Sequence, residues 1–271
     1  MDNKYRAMFS RNIGIFTELE QDKLRKSTIA IAGMGGVGGL LAERLMRLGV
    51  GQLKITDPGV FEQSNLNRQF GCFTSNLGQN KAEAIFTQIR DINPQVQVHY
   101  SYTGIRTEND AGLFVSDCSV VIDEMDFGSF RQSLLLQRAA RERGIHYLFA
   151  SAIGFGALIV VFDPGGMTLE EYNKLPPNLD FTTNQEVRVP LERILPVMPS
   201  YATAAAAAET ISKILAGELP APTISIGAGL ASILAANEAV NVILKKRDIP
   251  TAPAYTYIDL LDRQFIVGTV P

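Results

Sequence analysis

The sequence predicts an α/β protein with a Rossmann-like, doubly wound and mostly parallel sheet that is extended by antiparallel strands near its C-terminal end. Two observations carry this prediction. Short β-branched runs alternate with segments of helical length through the first half of the chain, as βαβ units require. A glycine-rich turn, GMGGVGG at 33–39, stands between the first strand and the first helix of this series.

The first half gives the elements of the parallel sheet in order. Residues 28–33 form a predicted strand buried on both faces, and 40–50 have the apolar spacing of a helix that ends at glycines. Further predicted strands and helices alternate along the chain at 52–57 (strand), 79–92 (helix), 96–102 (strand), 118–126 (buried strand followed by acids), 127–144 (helix) and 145–152 (strand).

The second half changes in character. Residues 156–163 are apolar and rich in β-formers, whereas 164–200 contain six prolines and predict a long crossover loop or lid. Two helices rich in small residues are predicted at 201–217 and 225–246, to cover the sheet or to form a subunit contact, and 255–268 predict a hairpin. With no repeat or linker, residues 1–271 are expected to form a single nucleotide-binding domain.

Composition narrows the class of protein. A formal net charge of −3 argues against a general nucleic-acid binder. Two cysteines, two distant histidines and no CxxC pair leave no zinc motif, so no zinc is expected. The N-terminus lacks the apolar core of a signal peptide, and no run of about 18 apolar residues predicts a membrane span. We expect a soluble, cytoplasmic protein.

The glycine turn is a candidate phosphate site. Backbone N–H groups at Gly33, Gly35, Gly36 and Gly38 and the start of the following helix favour an anion, and the missing side chains let a phosphate approach. Asp57 closes the second strand about 20 residues later, where an acid accepts hydrogen bonds from ribose hydroxyls. At this point an NAD enzyme fits as well as an ATP enzyme, and a tight turn without a ligand also stays open.

The next polar residues favour a triphosphate. The loop SNLNRQ at 64–69 contains Asn65, Arg68 and Gln69, and Lys81 stands at the start of the next helix. Cations beyond a pyrophosphate loop are needed where charge on the β- and γ-phosphates must be neutralised. Each cation alone would equally suit a solvated surface position.

Two acids follow the fourth strand, at the edge where open α/β sheets bind ligands. Asp123 and Asp126 are candidates for Mg²⁺, which takes few protein ligands beside phosphate oxygens, and Asp126 is the favoured one. The alternative is an acid placed at a helix N-terminus, where the macrodipole favours it.

Taken together, these residues resemble the ThiF/MoeB family, the adenylating fold shared with ubiquitin-activating enzymes, over about residues 11–163. The matching positions are Gly33–Gly38, Asp57, Phe61-Glu62, Ser64-Asn65-Leu66, Arg68-Gln69, Lys81, Ile92-Asn93-Pro94, Asp123 and Asp126. The resemblance implies ATP over the glycine loop with Asp57 on the ribose, and Mg²⁺ at Asp126. It implies phosphate contacts or orientation for Asn65, Arg68, Gln69 and Lys81.

The resemblance also implies the reaction and the partners. A carboxylate attacks the α-phosphate to give an acyl-adenylate and pyrophosphate, and the carboxylate is usually the C-terminus of a ubiquitin-like sulfur carrier. Arg11 is similar to an N-terminal arginine that reaches the ATP of the partner subunit in a homodimer. Four departures are visible: Gly59 replaces a second acid, Phe127 replaces a polar residue, the zinc cysteines are missing, and 164–200 contain no acyl-accepting cysteine. Cys72 and Cys118 are expected to be core or near-core residues, so no thioester is expected.

Three alternatives stay open. A peptide or a modified tRNA base, as in the tRNA threonylcarbamoyladenosine dehydratases, could supply the carboxylate, although the acidic balance does not favour RNA. An NAD-dependent oxidoreductase would use Asp57 and the glycines but leave Arg68 and Lys81 without a role. A non-catalytic partner subunit would not need Asp57, Arg68, Lys81 and Asp126 together.

Overall fold

The computed structural model describes residues 3–177, 179–180, 189–202, 213–214, 218–219 and 221–270. Its strands are β1 Thr28–Ala32, β2 Gln52–Thr56, β3 Gln97–Ser101, β4 Val120–Asp123, β5 His146–Ile153, β6 Gly156–Phe162, β7 Ala254–Asp259 and β8 Gln264–Thr269. They form one sheet in the order β3-β2-β1-β4-β5-β6-β7-β8. The first five strands pair in parallel, and β5 to β8 pair antiparallel. The predicted fold class, with its antiparallel extension and hairpin, is confirmed.

The helices of the described residues are α1 Asn3–Met8, α2 Glu18–Lys26, α3 Gly38–Arg47, α4 Lys81–Ile92, α5 Glu108–Phe114, α6 Phe130–Glu142, α7 Leu169–Tyr172, α8 Leu191–Ile194 and α9 Ser225–Leu244. α4 begins two residues later than predicted because the Asn80 side chain accepts the Glu83 N–H and caps the helix there. The predicted helix at 127–144 opens with a 3₁₀ turn, Phe127–Ser129, before α6.

The central strands β1, β4 and β6 are buried on both faces of the sheet, which explains the continuous apolar run of β1. Ile29 and Ile31 pack with α3, α4 and α9 on one face, whereas Ala30 and Ala32 pack with α5, α6 and α7 on the other. All five β1 residues are buried. Strands covered by helices on both sides lose the polar alternation of half-exposed strands. The core thus fixes the end of β1, where the glycine loop starts.

Several features differ from the sequence prediction. Helices α1, α2 and α5 were not predicted; α2 and α5 each begin with a capping box, at Thr17–Glu20 and Thr107–Asp110. The stretch predicted as a loop at 164–200 contains α7 and α8, and Leu195 and Val197 pack against the core on the α6 face. The helix predicted at 201–217 lies largely outside the described residues.

Helix α9 covers the sheet, which was one of the two roles predicted for it. It contacts α3, β5 and β6, and Ala231, Ala235 and Ala239 are completely buried. By length and composition alone α9 could cross a membrane, but 61% of its apolar window is buried inside the protein. Its apolar character is therefore accounted for by packing on the sheet.

Candidate functional site

The candidate site lies where the order of the sheet reverses. The chain passes from β1 through α3 to β2 on one side, and later returns through α5 to β4 on the other side of β1. Connections that leave on opposite faces open a crevice at the carboxyl ends of these two strands. The glycine loop, Asp57 and the acids after β4 all follow strand ends at this edge.

The glycine loop has a backbone that only glycine accepts at two positions. Gly33 has φ +96°, and a Cβ there would lie 2.3 Å from the Glu124 carbonyl oxygen. A Cβ on Gly38 would lie 1.9 Å from the Gly33 carbonyl oxygen. The N–H groups of 35–38 have no acceptor among the residues that the structure describes. Unfilled donors at the start of α3 form an anion site.

Asp57 shapes this loop. Its Oδ2 accepts a hydrogen bond from the Met34 N–H at 2.6 Å, and its Oδ1 accepts one from the Gly59 N–H at 2.7 Å. A Cβ on Gly59 would lie 3.0 Å from Asp57 Oδ1 and 3.5 Å from Lys81 Nζ. The Asn80 amide donates to the carbonyl oxygens of Asp57 and Gly59 and fixes the start of α4. The structure thus brings Asp57 and Lys81 together beside the loop, and Gly59 leaves them room.

The 64–69 loop covers the glycines. Arg68 Cγ lies 3.4 Å from the position of a Cβ on Gly36, and its guanidinium donates to Ser64 O and Asn67 Oδ1. Gln69 is buried with its Nε2 3.8 Å from the position of a Cβ on Gly35, and its Oε1 has no partner among the described residues. A buried amide oxygen without a partner indicates a missing donor, from a ligand or a water.

Asn65 has a different position from its neighbours. It is buried, its Oδ1 accepts the Glu62 N–H at 3.1 Å, and its Nδ2 lies 3.4 Å from Ser64 Oγ. In the described structure its polar atoms therefore hold the 3₁₀ turn of the loop. This contact fits the orienting role that the resemblance allows.

The two acids after β4 have different environments. Asp123 is completely buried, and its carboxylate accepts from the Met125 N–H at 2.9 Å and from the Tyr147 hydroxyl at 2.5 Å. Burial raises the pKa of Asp123, against the lowering effect of hydrogen bonds from Ser133, Tyr147 and Met125. Its oxygens are used inside the core, whereas Asp126 is exposed. Of the two predicted candidates, Asp126 is the one with a carboxylate open to a metal.

Glu124, between these acids, was missed by the sequence analysis. Its Cβ lies 3.3 Å from the position of a Cβ on Gly38, and its Oε1 is buried without a partner in the described part of the chain. Burial and the neighbouring Asp123 raise the pKa of Glu124 well above its usual value, although the Ala150 N–H hydrogen bond lowers it. A run of acids after a strand gave no sign that one of them points into the interior.

Arg11 is not part of this cluster within one chain. It is exposed in the 3₁₀ turn Ser10–Asn12, and no hydrogen bond or ion pair links it to the described residues of the site.

Cys72 and Cys118 are both free and buried, as predicted. Among the described residues no three His, Cys, Asp or Glu side chains form a metal-binding group.

A second polar cluster lies at the same edge of the sheet. Asp259 Oδ2 accepts hydrogen bonds from Tyr201 at 2.7 Å and from Tyr257 at 2.9 Å, and Oδ1 accepts from the N–H groups of Leu261 and Asp262. These four bonds outweigh burial and lower the pKa of Asp259. Burial and the bond to Asp259 raise the pKa of Tyr201 to about 12. Tyr201 and Asp259 are 58 residues apart, so no local sequence signal predicts their contact.

Fold and site define a class: a Rossmann-like α/β protein with open backbone donors at its switch point and two cations beside them. The chain belongs to the ThiF family, whose model matches residues 9–270, well beyond the 11–163 predicted.

Curated relatives match parts of the chain. A sulfur carrier protein ThiS adenylyltransferase of Bacillus subtilis is 33% identical over 147 residues, 54% of this chain and 43% of that protein. A tRNA threonylcarbamoyladenosine dehydratase of the same organism is 32% identical over 134 residues, 49% of this chain and 53% of that protein. The aligned region thus spans about half the length of these relatives.

Solved structures share the whole fold. MccB of E. coli in a complex with MccA-N7isoASN has a TM-score of 0.74 and 19% identity, and the match covers 100% of this chain and 74% of MccB. PaaA has a TM-score of 0.74 and 17% identity, with 100% and 75% covered. At these identities the similarity establishes the fold.

Proposed function

We propose that this chain binds ATP over the glycine loop and adenylates a carboxylate, releasing pyrophosphate. The observation that carries the proposal is the placement of Asp57, Lys81 and Arg68 around one loop with unfilled N–H donors. Membership of a family that includes an adenylyltransferase supports it. An oxidoreductase would leave the two cations beside the loop without a role.

Each residue has a part in the proposed reaction. Asp57 holds the loop and is available to the ribose, while the loop N–H groups bind phosphate oxygens. Lys81 and Arg68 stabilise charge on the β- and γ-phosphates as the acceptor carboxylate attacks the α-phosphate and the bond to pyrophosphate breaks. Gln69 supplies an amide with an open acceptor, and Asn65 keeps the 64–69 loop in shape.

Magnesium fits this arrangement with one protein ligand. Asp126 is exposed at the edge of the site, and Mg²⁺ commonly binds one or two carboxylates together with phosphates and waters. Bound there, the ion would neutralise phosphate charge during the displacement. No zinc is part of the proposal.

The acceptor we propose is the C-terminal carboxylate of a ubiquitin-like sulfur carrier or of a peptide. The ThiS adenylyltransferase and the MccB complex with an MccA peptide support these two classes. A second candidate, a carboxylate on a modified tRNA base, is favoured by the 32% identity to the tRNA threonylcarbamoyladenosine dehydratase. Nucleic acid remains the less favoured substrate at a net charge of −3.

We also propose a cytoplasmic homodimer. Since Arg11 is exposed and makes no contact with the described residues of its own site, a role in catalysis requires the site of a second copy. Sedimentation that shows only monomer at assay concentrations would remove this role for Arg11. Loss of activity in Arg11→Ala, restored by mixing with Lys81→Met subunits, would support it.

The test of the proposed function is ATP–pyrophosphate exchange with ThiS, an MccA peptide or bulk tRNA as acceptor. Exchange that depends on one acceptor and is lost in both Lys81→Met and Asp126→Ala is expected. Lys26→Met is the matched control, because Lys26 is an exposed residue paired with Asp22 on α2. Undiminished exchange in Lys81→Met would favour a contaminating activity and a non-catalytic subunit. No exchange with any acceptor, together with tight NAD binding, would favour the oxidoreductase.

A further inference from the structure

Tyr201 connects three distant parts of the chain at the carboxyl edge of the sheet. Its hydroxyl donates to Asp259 at the end of β7 and accepts the Phe155 N–H, both at 2.7 Å. The Phe155 ring meets it edge-to-face, with 5.5 Å between centroids. Tyr201 thus attaches the end of the 164–200 segment to the β5–β6 turn and to the β7–β8 hairpin.

The neighbouring residue strengthens this attachment. Ser200 donates from its N–H to one Asp262 oxygen at 3.1 Å and from its hydroxyl to the other at 2.8 Å. The N–H of Asp262 is itself held by the Asp259 carboxylate. The β7–β8 hairpin therefore holds the two successive residues Ser200 and Tyr201, and charged acceptors make these hydrogen bonds stronger than neutral ones.

Close packing leads from Tyr201 to the glycine loop. A Cβ on Gly154 would lie 2.5 Å from the Tyr201 ring, and a Cβ on Gly227 would lie 2.4 Å from the Gly154 carbonyl oxygen. The next residue of α9, Ala228, has its Cβ 3.4 Å from the position of a Cβ on Gly36. Among the described residues, close contacts through the Gly154 turn and the first turn of α9 therefore link Tyr201 to the glycine loop.

The described residues just before Tyr201 pack against the core. Arg193 lies over the Tyr172 ring at 6.0 Å, and Leu195 and Val197 pack on the α6 face of the sheet. Tyr172 packs on Phe162 at the far end of β6, whereas Tyr201 contacts the turn at the near end. The described residues 193–201 therefore run along the sheet and end at the edge that carries the site.

We propose that Tyr201 is a positioning residue that fixes the described residues 193–200 as a wall of the acceptor site, at a set distance from the glycine loop. This inference rests on the proposed function, since it assigns a place to the acceptor of that reaction. Tyr201 contacts neither ATP nor the reacting carboxylate in this proposal. It acts through residues 195–200, so its loss should weaken acceptor binding and leave ATP binding intact.

The test compares Tyr201→Phe with Tyr257→Phe. Both substitutions remove a phenol that donates to the same oxygen of Asp259, but only Tyr201 directly follows residues 193–200. The first measurement is hydrogen–deuterium exchange of the backbone amides at 195–202. The second is the KM for the acceptor that supports pyrophosphate exchange, out of ThiS, the MccA peptide and tRNA, beside the Kd for ATP.

We expect Tyr201→Phe to speed amide exchange at 195–202 and to raise the acceptor KM, each about tenfold, as loss of one hydrogen bond to a charged group allows. The Kd for ATP should change less than about twofold, and Tyr257→Phe should show neither effect.

Equal effects of the two variants, or a parallel loss of ATP affinity, would mean a general loss of stability and overturn the inference. The positioning role alone is overturned if the wild type shows acceptor-dependent pyrophosphate exchange while Tyr201→Phe keeps the wild-type acceptor KM and the wild-type rate of amide exchange. If the wild type exchanges with none of the acceptors, the proposed function fails and the positioning role fails with it.

Discussion

The Asp57 carboxylate accepts a hydrogen bond of 2.6 Å from the backbone N–H of Met34, inside the glycine loop. The acid that the sequence assigns to a ribose therefore also holds the glycine loop in place. Its second oxygen accepts the Gly59 N–H, so one side chain links the ends of β1 and β2. Nucleotide binding and the local stability of the loop should depend on the same residue.

Replacing Asp57 by Asn should weaken both properties. The amide keeps one acceptor oxygen, so one of the two N–H groups, of Met34 or of Gly59, loses its partner and faces another donor. We expect a loss of about 1–3 kcal/mol in the free energy of unfolding and at least about tenfold in ATP affinity. Urea unfolding and calorimetric titration with ATP measure the two. Asp126→Asn is the control, because its exposed side chain should leave stability unchanged; wild-type ATP affinity in Asp57→Asn would contradict the assignment.

Gly33→Ala should destabilise the protein by more than its backbone angle alone explains. Gly33 has φ +96° and a carbonyl oxygen 2.3 Å from the position of a Cβ, whereas Gly14 has φ +107° and no atom within 4 Å of that position. Gly14→Ala therefore measures strain alone, about 1–3 kcal/mol. We expect Gly33→Ala to cost at least about 2 kcal/mol more in thermal or urea unfolding, because the loop must move away from Glu124. Equal costs would mean that the loop adapts easily.

The regular parts of this fold and site were predictable because their signals are local. The β1 run, the glycine turn and the helix after it lie within 20 residues, and each element restricts the next. Asp123 and Asp126 were assigned to the ligand-binding edge because they follow a strand of the parallel sheet, whereas Arg68 and Lys81 were assigned through the charge of a triphosphate and Gln69 through the family resemblance. Helix α5 gave no such signal, since Ala111 is its only buried residue.

What the sequence could not show depends on contacts between distant segments. Glu124 follows a strand and its position in the sequence suggests a solvent-facing acid, but its Oε1 is buried among the described residues. The bonds from Tyr201 and Tyr257 to Asp259 require the hairpin and the end of the 164–200 segment to meet at one corner of the sheet. Only the completed sheet order brings these residues together.

Acid should weaken the link between helix α2 and Lys246, which lies just after α9. Glu20 Oε1 lies 2.8 Å from Lys246 Nζ, and this contact, followed by the Thr17 N–H hydrogen bond, lowers the pKa of Glu20 to about 2. A depressed pKa contributes stability that is present above about pH 4.5 and is lost as pH falls towards 2. The free energy of unfolding, measured in urea, should decline less between pH 6 and pH 3 in Glu20→Gln than in the wild type. Lys246→Met should reduce the decline less, because the Thr17 N–H bond to Glu20 remains, and it should add nothing to Glu20→Gln. Additive losses would mean that the two side chains act separately.

Glu124→Gln should stabilise the protein at neutral pH, whereas Glu20→Gln should destabilise it. Because burial and Asp123 raise its pKa in the folded state, Glu124 holds its proton to a higher pH in the folded protein than in the unfolded chain. Stability therefore declines as pH rises from about 4.5 towards the folded pKa. Glutamine keeps an oxygen for the Ala150 N–H without a titrating proton, so the variant should unfold at higher urea concentration than the wild type at pH 7.5. The gain should vanish near pH 4, where Glu124 is largely protonated in the unfolded chain as well as in the folded protein. A variant less stable than the wild type at pH 7.5 would mean that Glu124 is ionised in the folded protein and paired with a bound cation or water beneath the glycine loop.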